Sequence, residues 1–337
     1  AARDVLADQC TPQVVRAIEE GGRTAEATTA LWEQLEATGL ADALLSEDAG
    51  GAGLGLGQVF GVLEQCGAHA LPLPLGETMV ARALLAQAGV ARPAGSIALA
   101  RGEHLANGGL RCALVRSGQV AAAVLVQTGT EWRLLNTADA QGAAQALALD
   151  AALTWTAVQV QAAPAVEVNG ALDVRTLQAA VVAAQMAGAL SSVFRRSLQY
   201  ANERQQFGRP IGKFQAIQHQ LAVMSEHVFA ARMAAQLGCS AGHDGMGVVP
   251  DRLRVATAKA RCSEAALVVS ELAHAIHGAI GFTEEYDLQL FTRRLHAWRQ
   301  TAGSEAYWYG VAGEALLHHQ GMTLDIVRRI TDVDTVL

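Results

Sequence analysis

Residues 200–224, YANERQQFGRPIGKFQAIQHQLAVM, carry the densest chemistry in the chain. Apolar residues keep helical spacing on both sides of this segment, whereas Gly208, Pro210 and Gly212 interrupt it. Two helices are therefore predicted to meet at a tight corner. An arginine, Arg204, and two glutamines crowd into this corner of an otherwise alanine-rich sequence, which indicates a ligand-binding site.

Other candidate motifs have simpler structural interpretations. The glycine-rich segment 46–57, SEDAGGAGLGLG, does not spell GxGxxG and follows no convincing strand, so it predicts a turn between helices rather than a phosphate loop. His274 and His277 are three residues apart, and His318 and His319 are adjacent, but no third ligand has the spacing of a metal site. No metal centre is predicted.

Composition limits the classes of partner. The 337 residues are 51% hydrophobic and only 17% charged, which predicts a large buried core and two or three domains. A net charge of -7 with 25 dispersed cationic residues argues against a nucleic-acid partner.

The cysteines and the first residues indicate the compartment. The five cysteines are far apart and form no CxxC pair, which is typical of reduced thiols in the cytoplasm. The first ten residues carry charge where an export signal needs an apolar core. Residues 177–194 form an uncharged run, but its alanines and polar side chains favour a buried helix over a membrane span.

The sequence pattern predicts three regions. Residues 1–92 form short amphipathic helices, and residues 93–170 form a small, mostly antiparallel β domain from the runs CALV, VAAAVLV, WRLLNT and WTAVQVQ. Residues 171–337 form a C-terminal four-helix bundle. Its helices are predicted at 175–203, 214–241, 250–277 and 302–319.

Three segments together resemble the acyl-CoA dehydrogenase family. They are the corner at 200–224, the segment HGAIGFTEEYDLQLFTRR at 277–294, and TAGSEAYW at 301–308. They occur in the family's order and at fitting distances, and the glycine-rich turn at 46–57 also matches. The resemblance covers nearly the whole chain and implies the family fold, which is mainly helical with a small β domain.

The resemblance also implies a cofactor, FAD, and residues that bind it. In the family, the arginine of the corner meets the pyrophosphate of FAD bound mainly by a neighbouring subunit, and a guanidinium fork suits paired phosphate oxygens. Phe207 would pack on the flavin or its sugar chain, and Gln215 would donate a hydrogen bond. The cofactor-binding positions so implied are Arg204, Phe207, Gln215, Gly278, Gly281 and Ser304.

The catalytic base departs from the family pattern. Members abstract a proton from the carbon α to a thioester carbonyl, usually with a glutamate just before the glycine of the last segment. Ala302 takes that place here, and Gln205 takes the alternative place after the corner arginine. Glu305 is the nearest carboxylate in sequence and is the candidate base, although a solvated glutamate at a helix N-terminus explains it equally well.

The residues expected to bind the flavin also depart from the family pattern. Residues 96–168 contain no counterpart of the Thr-Glu-Pro and Gly-Ser-Asp stretch with which the family's β domain holds flavin and substrate. Ala275 stands where the family often has a glutamine that contacts FAD.

These features leave three functions open. The first is an FAD-dependent acyl-CoA dehydrogenase that works with an unusual base. The second is a non-catalytic subunit of a heteromeric acyl-CoA dehydrogenase, which lends its corner to a partner's site. The third is a flavin monooxygenase on the same fold. The resemblance implies an acyl-CoA substrate, an electron-transfer flavoprotein or similar acceptor, and a homo- or hetero-oligomer, either a dimer or a tetramer.

Overall fold

The computed structural model describes residues 2–147, 149–168, 172–240 and 248–331. Helices dominate both ends of the chain and strands dominate the middle. The α-helices are α1 (Ala2–Gln9), α2 (Pro12–Gly21), α3 (Glu26–Ala37), α4 (Phe60–Ala68), α5 (Leu75–Gln87), α6 (Ala157–Ala162), α7 (Val174–Glu203), α8 (Gln215–Gly238), α9 (Arg252–His277), α10 (Leu288–Gln300), α11 (Glu305–His318) and α12 (Thr323–Thr331). The strands are β1 (Ile97–Arg101), β2 (Glu103–His104), β3 (Leu110–Val115), β4 (Ala123–Thr128), β5 (Glu131–Asn136), β6 (Gln141–Ala144), β7 (Ala151–Trp155), β8 (Gln205–Gln206) and β9 (Arg209–Pro210).

The predicted fold class is confirmed: a helical N-terminal part, a small β part and a C-terminal bundle follow one another along the chain. The domain boundaries at 92 and 170 stay predictions, and residue 170 lies outside the described residues. One hydrophobic core cluster contains side chains from all three parts, such as Leu35, Leu125 and Leu190. The three parts therefore share one core where they meet.

The β part consists of two small sheets with the orders β1-β4-β5 and β2-β3-β7-β6. Only β1 and β4 pair in parallel, so the mostly antiparallel prediction holds for the described strands. Alternate side chains leave opposite faces of a strand. Leu99 and Leu125 accordingly belong to the core shared with the helices, whereas Ala98 and Val124 belong to a second core within the β part.

Two expectations about single elements are wrong. The run WTAVQVQ was expected to be a strand, but β7 ends at Trp155 and α6 follows it. A capping box starts this helix: Thr156 Oγ1 accepts the Gln159 N–H (3.4 Å), and Gln159 Oε1 accepts the Thr156 N–H (2.7 Å). These local hydrogen bonds outweigh the β-branched pattern.

The second error concerns α10, which is absent from the four predicted bundle helices. Its apolar residues Leu288, Phe291, Leu295 and Trp298 recur at intervals of three and four and are all buried. The segment also contains three arginines, which interrupt the apolar pattern. One of them, Arg294, is buried because it pairs with Glu19 at 2.8 Å.

Helix α7 is the central element of the bundle. Helix α4 crosses it so closely that the backbones of the two helices are in contact. A Cβ on Gly188 would lie 1.8 Å from the Glu64 carbonyl oxygen, and one on Gly67 would lie 1.7 Å from the Gln185 carbonyl oxygen. Glycine is thus required on both helices at this crossing. The many alanines of α7 allow neighbouring helices to approach it closely in the same way.

A buried charged group connects the β part to the helices. The Glu77 carboxylate is fully buried; it accepts the Leu99 N–H (2.8 Å) and a Gln178 side-chain N–H (3.3 Å). Arg116 Nε lies 3.5 Å from Glu77 Oε1, and its guanidinium lies 5.2 Å from the centre of the Trp298 ring. Burial raises the pKa of Glu77, and the charge of Arg116 opposes that shift.

Two helical segments, Val174–Glu203 and Arg252–Phe282, are long and apolar enough to cross a membrane by length and composition alone. Within the most apolar window of the first, 83% of the residues are buried in the protein. The second contains Lys259, which is buried and hydrogen-bonded to the chain. The first therefore behaves as a core helix of the bundle, whereas 44% of the corresponding window of the second is buried.

We expect Gly188→Ala to lower the free energy of unfolding by about 1–3 kcal/mol, because the added methyl group overpacks the crossing of α7 and α4. Urea unfolding measures this change. Gly313→Ala in α11 is the matched control: an added Cβ there meets nothing within 4 Å. It should leave stability unchanged or raise it by up to about 1 kcal/mol. Equal effects of the two substitutions would contradict the close crossing.

Candidate functional site

The predicted corner is a tight hairpin between α7 and α8. Strands β8 and β9 pair in antiparallel orientation, and Phe207 and Gly208 connect them with φ values of 50° and 74°. A positive φ at both central residues is typical of a two-residue hairpin turn, although it is unfavourable for phenylalanine. The Ile211 N–H donates to the Arg204 carbonyl oxygen at 2.8 Å and closes the corner.

The corner presents its side chains to solvent. Phe207 is 91% exposed, and its ring meets Phe214 edge to face with centroids 6.1 Å apart. Arg204 and Gln215 are exposed, and Arg204 makes no ion pair with the described residues. Gln215 is the first residue of α8, where backbone N–H groups are free to bind an anion. The corner thus combines an unpaired guanidinium, an exposed ring and a helix N-terminus.

The end of α9 lies beside this corner. The Tyr200 ring stacks on His277 with centroids 4.5 Å apart, and the Tyr200 hydroxyl donates to the His277 carbonyl oxygen at 3.4 Å. Gly278 follows with a φ of 64°, and an added Cβ there would meet nothing within 4 Å. The structure therefore brings Gly278 and the turn of α7 that precedes Arg204 together, with open space at the glycine.

Gly281 differs from Gly278 because it is buried. A Cβ on Gly281 would lie 3.1 Å from His277 Cβ and 3.2 Å from His274 Nδ1. Its immediate neighbours are thus side chains of its own chain. No cluster of metal-ligating side chains occurs in the parts of the chain that the structure describes. His277 Nδ1 lies 2.7 Å from the Ala273 carbonyl oxygen, as for a packed histidine.

These residues fit FAD at the corner. Arg204 is available for phosphate oxygens, Phe207 offers an exposed apolar ring, and Gly278 leaves room for close backbone approach. Gln215 is exposed at the start of its helix and can donate from its side chain. Four of the six predicted cofactor-binding residues thus lie on or beside one exposed surface.

A cleft of about 500 Å³ lies where the β part meets α7 and the connection from α10 to α11. Ala302 and Gly303 line it from one side, and Gln178 of α7 lines it as well. Ala302 has a φ of 57°, and its carbonyl oxygen accepts the Trp308 ring N–H at 3.1 Å. This is the connection on which the resemblance places the catalytic carboxylate.

Lys259 holds that connection in place. Its ammonium nitrogen is buried and donates to the carbonyl oxygens of Gly303 (2.9 Å) and Arg299 (3.0 Å) and to the Ser263 hydroxyl (3.0 Å). Burial lowers the pKa of Lys259 to about 7. Lys259 was not among the functional residues predicted from the sequence. The signal that could have identified it is a single lysine among the apolar residues of α9.

Glu305 is occupied by an ion pair. Arg299 Nε donates to Glu305 Oε2 at 3.0 Å, and a second Arg299 nitrogen contacts Oε1. These hydrogen bonds lower the pKa of the Glu305 carboxyl group. Glu305 does not line the cleft beside Ala302. Ser304 precedes it as the half-buried N-cap residue of α11 and makes no side-chain capping bond.

The corner and the cleft lie at opposite ends of α7. This helix has 30 residues and is therefore about 45 Å long. Arg175 in its first turn lines the cleft, and Arg204 follows its last turn. The two sites of one chain are thus separate, and the structure does not bring Glu305 or Ser304 to the corner.

Comparison with known proteins identifies the family. A family model described as "Acyl-CoA dehydrogenase, C-terminal domain" matches residues 174–317. The chain is also 30% identical over 298 residues to "Acyl-CoA dehydrogenase IpdE2" of Mycolicibacterium smegmatis, and the match covers 87% of this chain and 89% of that protein. The chain belongs to the acyl-CoA dehydrogenase family.

Solved acyl-CoA dehydrogenase structures have the same fold. The "Tcur3481-Tcur3483 steroid ACAD G363A variant" superimposes with a TM-score of 0.77 and 27% identity, covering 94% of this chain and 95% of that one. The ChsE4-ChsE5 complex from Mycobacterium tuberculosis gives a TM-score of 0.79 at 22% identity, covering 95% and 96%. The second likeness shows the fold alone.

The depressed pKa of Lys259 predicts a pH dependence of stability. The folded chain releases this proton near pH 7, whereas the unfolded chain keeps it to about pH 10.4. Because the unfolded state binds more protons in between, stability should rise with pH over this range. From about pH 6 to about pH 8.5, the free energy of unfolding should rise by on the order of 2 kcal/mol more in the wild type than in Lys259→Met. Urea unfolding at a series of pH values measures this. If the free energy of unfolding changed with pH equally in the wild type and in Lys259→Met, the lowered pKa of Lys259 would be contradicted.

Proposed function

We propose that this acyl-CoA dehydrogenase is a subunit of an oligomer that oxidises an acyl-CoA thioester between Cα and Cβ, and that it lends its bundle corner to the FAD of a neighbouring subunit. The observation that carries the proposal is that the α10–α11 connection lacks a free carboxylate. Ala302 occupies the usual position of the base, and Glu305 is paired with Arg299. Gln205, at the alternative position, is an exposed amide at the distant corner.

The corner is suited to hold a cofactor of another chain. Arg204 can donate two parallel hydrogen bonds to phosphate oxygens, and Phe207 can cover an apolar part of the ligand. Gln215 can donate from the start of α8, and the open backbone at Gly278 allows close approach. Since α7 separates this surface from the chain's own cleft by about 45 Å, these residues act on a neighbour's site. When bound, FAD supplies the acceptor for the hydride that leaves Cβ.

The proton at Cα must go to a base in a dry pocket. An amide such as Gln205 is not a base, and an alanine has no proton acceptor. A carboxylate held by an arginine, as in Glu305, has a depressed pKa and is a poor acceptor. We therefore place the base on the partner chain, so that this subunit binds and orients while the partner removes the proton.

Assembly is supported by apolar side chains on the surface of the bundle. Phe229 and Met233 are 62% and 57% exposed and lie four residues apart, so they share a face of α8. Both hetero-oligomeric and homo-oligomeric assembly would cover them. The similar ChsE4-ChsE5 structure is a complex of two differently named proteins, which favours the heteromeric arrangement in this proposal.

The proposed substrate class comes from the named relatives. One similar structure is a "steroid ACAD" variant, so a lipid- or steroid-derived acyl thioester is the proposed substrate. An electron-transfer flavoprotein is the proposed acceptor of the electrons.

The five cysteines are all free and buried, which fits the proposed cytoplasmic location.

Replacing the corner arginine tests the cofactor role. We expect Arg204→Ala to weaken FAD binding in the purified complex by on the order of 2 kcal/mol, about 30-fold, because a charge-assisted phosphate contact is lost. The measurement is flavin absorbance per mole of chain after prolonged dialysis. Arg328→Ala removes an exposed charge from α12 and should leave the flavin content unchanged. Equal flavin retention in both variants would exclude the corner as a cofactor site.

Replacing Glu305 separates a lending subunit from a self-sufficient enzyme. If the base comes from the partner, Glu305→Gln should change acyl-CoA dehydrogenation by the complex by no more than about threefold. Losing a general base would instead reduce kcat by about 100-fold or more. Glu314→Gln, on the exposed face of the same helix, is the control. An isolated wild-type chain that reduces its own FAD with acyl-CoA, and loses this in Glu305→Gln, would overturn the proposal.

A further inference from the structure

The cleft beside Ala302 is lined by more positive than negative side chains. Arg101 ends β1, Arg111 lies on β3, and Arg175 is in the first turn of α7; all three line the same cleft. Glu103 is the acidic residue among the described lining residues. Arginines from three separate elements thus line one cleft.

These arginines have too few acidic partners to neutralise their positive charge. Arg111 lies 3.8 Å from Glu103, and both side chains are more than half exposed. Arg175 lies over the Tyr307 ring at 4.5 Å and has no carboxylate partner among the described residues. Arg101 likewise has none there. Asp173, the N-cap residue of α7, accepts the backbone N–H of Arg175 and pairs with Arg252 at 2.6 Å.

Such a cleft is suited to an oxyanion. Arginines that line one cleft make its electrostatic potential positive, which attracts an anion. The planar N–H fork of arginine matches the geometry of carboxylate and phosphate. Arg175 also lies at the N-terminus of the long helix α7, whose dipole favours negative charge nearby.

We infer that the cleft formed by Arg101, Arg111 and Arg175 is a binding site for an oxyanion carried by a ligand of this subunit. The group is either a carboxylate of an acyl chain or a phosphate of a nucleotide moiety, since both present paired oxygens to arginine. This site is distinct from the corner at Arg204, because α7 separates the two by about 45 Å. Oxyanion binding does not depend on the proposed function; only the choice between an acyl and a nucleotide ligand rests on it.

Titration calorimetry of the purified chain at low ionic strength tests the inference, with inorganic pyrophosphate and glutarate as probes. We expect at least one probe to bind, and Arg101→Gln and Arg175→Gln each to weaken it by at least about tenfold. Arg175→Lys keeps the charge but loses the fork, so it should have an intermediate effect. Arg328→Gln removes the same charge from an exposed residue of α12 that does not line the cleft, and it should bind as the wild type does.

The outcomes distinguish the source of the oxyanion. Binding of pyrophosphate alone indicates a nucleotide phosphate, binding of glutarate alone indicates an acyl carboxylate, and binding of both supports the shared oxyanion site. No binding of either probe up to about 10 mM would overturn the inference. Equal affinity in the wild type, Arg101→Gln and Arg175→Gln would overturn it as well. Neither result depends on flavin content, so a failure here is separate from a failure at Arg204.

Discussion

The length of α7 is the constraint on which the functional arrangement depends. Its 30 residues run through the middle of the molecule, with the corner at one end and the arginine-lined cleft at the other. Backbone contact with α4 at Gly188 fixes its position against the N-terminal helices. A rigid helix of about 45 Å prevents one chain from closing its corner onto its own cleft. The corner is therefore available to a neighbouring chain, as an intersubunit cofactor site requires.

Buried charged groups hold the elements that surround α7. The Glu77 carboxylate, with Gln178 and Arg116, fastens the β part to α7, while Lys259 fastens the α10–α11 connection to α9. The Glu77 carboxylate and the Lys259 ammonium group are satisfied by hydrogen bonds that cross between elements, whereas the buried Nη1 of Arg116 has no partner. Removing one partner would leave a buried polar group unpaired, which costs more than the bond itself contributes. The cleft thus keeps its shape although the connection lacks the catalytic carboxylate.

The sequence predicts the parts of this arrangement that depend on local pattern. Glycine and proline placement locates the corner at Arg204 and the turn at Gly278, and apolar spacing identifies α7, α8 and α9. The sequence does not predict what depends on contacts between distant residues. Arg101, Arg111 and Arg175 look like isolated surface charges because each lies on a different element. The pairing of Glu305 with Arg299 depends on α10. The sequence does not predict that helix, because its arginines interrupt the apolar pattern. At α6, two local hydrogen bonds override a strand-like pattern.

A crystal structure of the FAD-loaded oligomer would show whether the corner belongs to a neighbouring chain's cofactor site. We expect the Arg204 guanidinium to lie about 3 Å from the pyrophosphate of an FAD whose flavin ring occupies another chain. We also expect a carboxylate of that other chain to face the substrate carbon. An Arg204 side chain in solvent, or an FAD held wholly within its own chain beside Ala302, would contradict this arrangement.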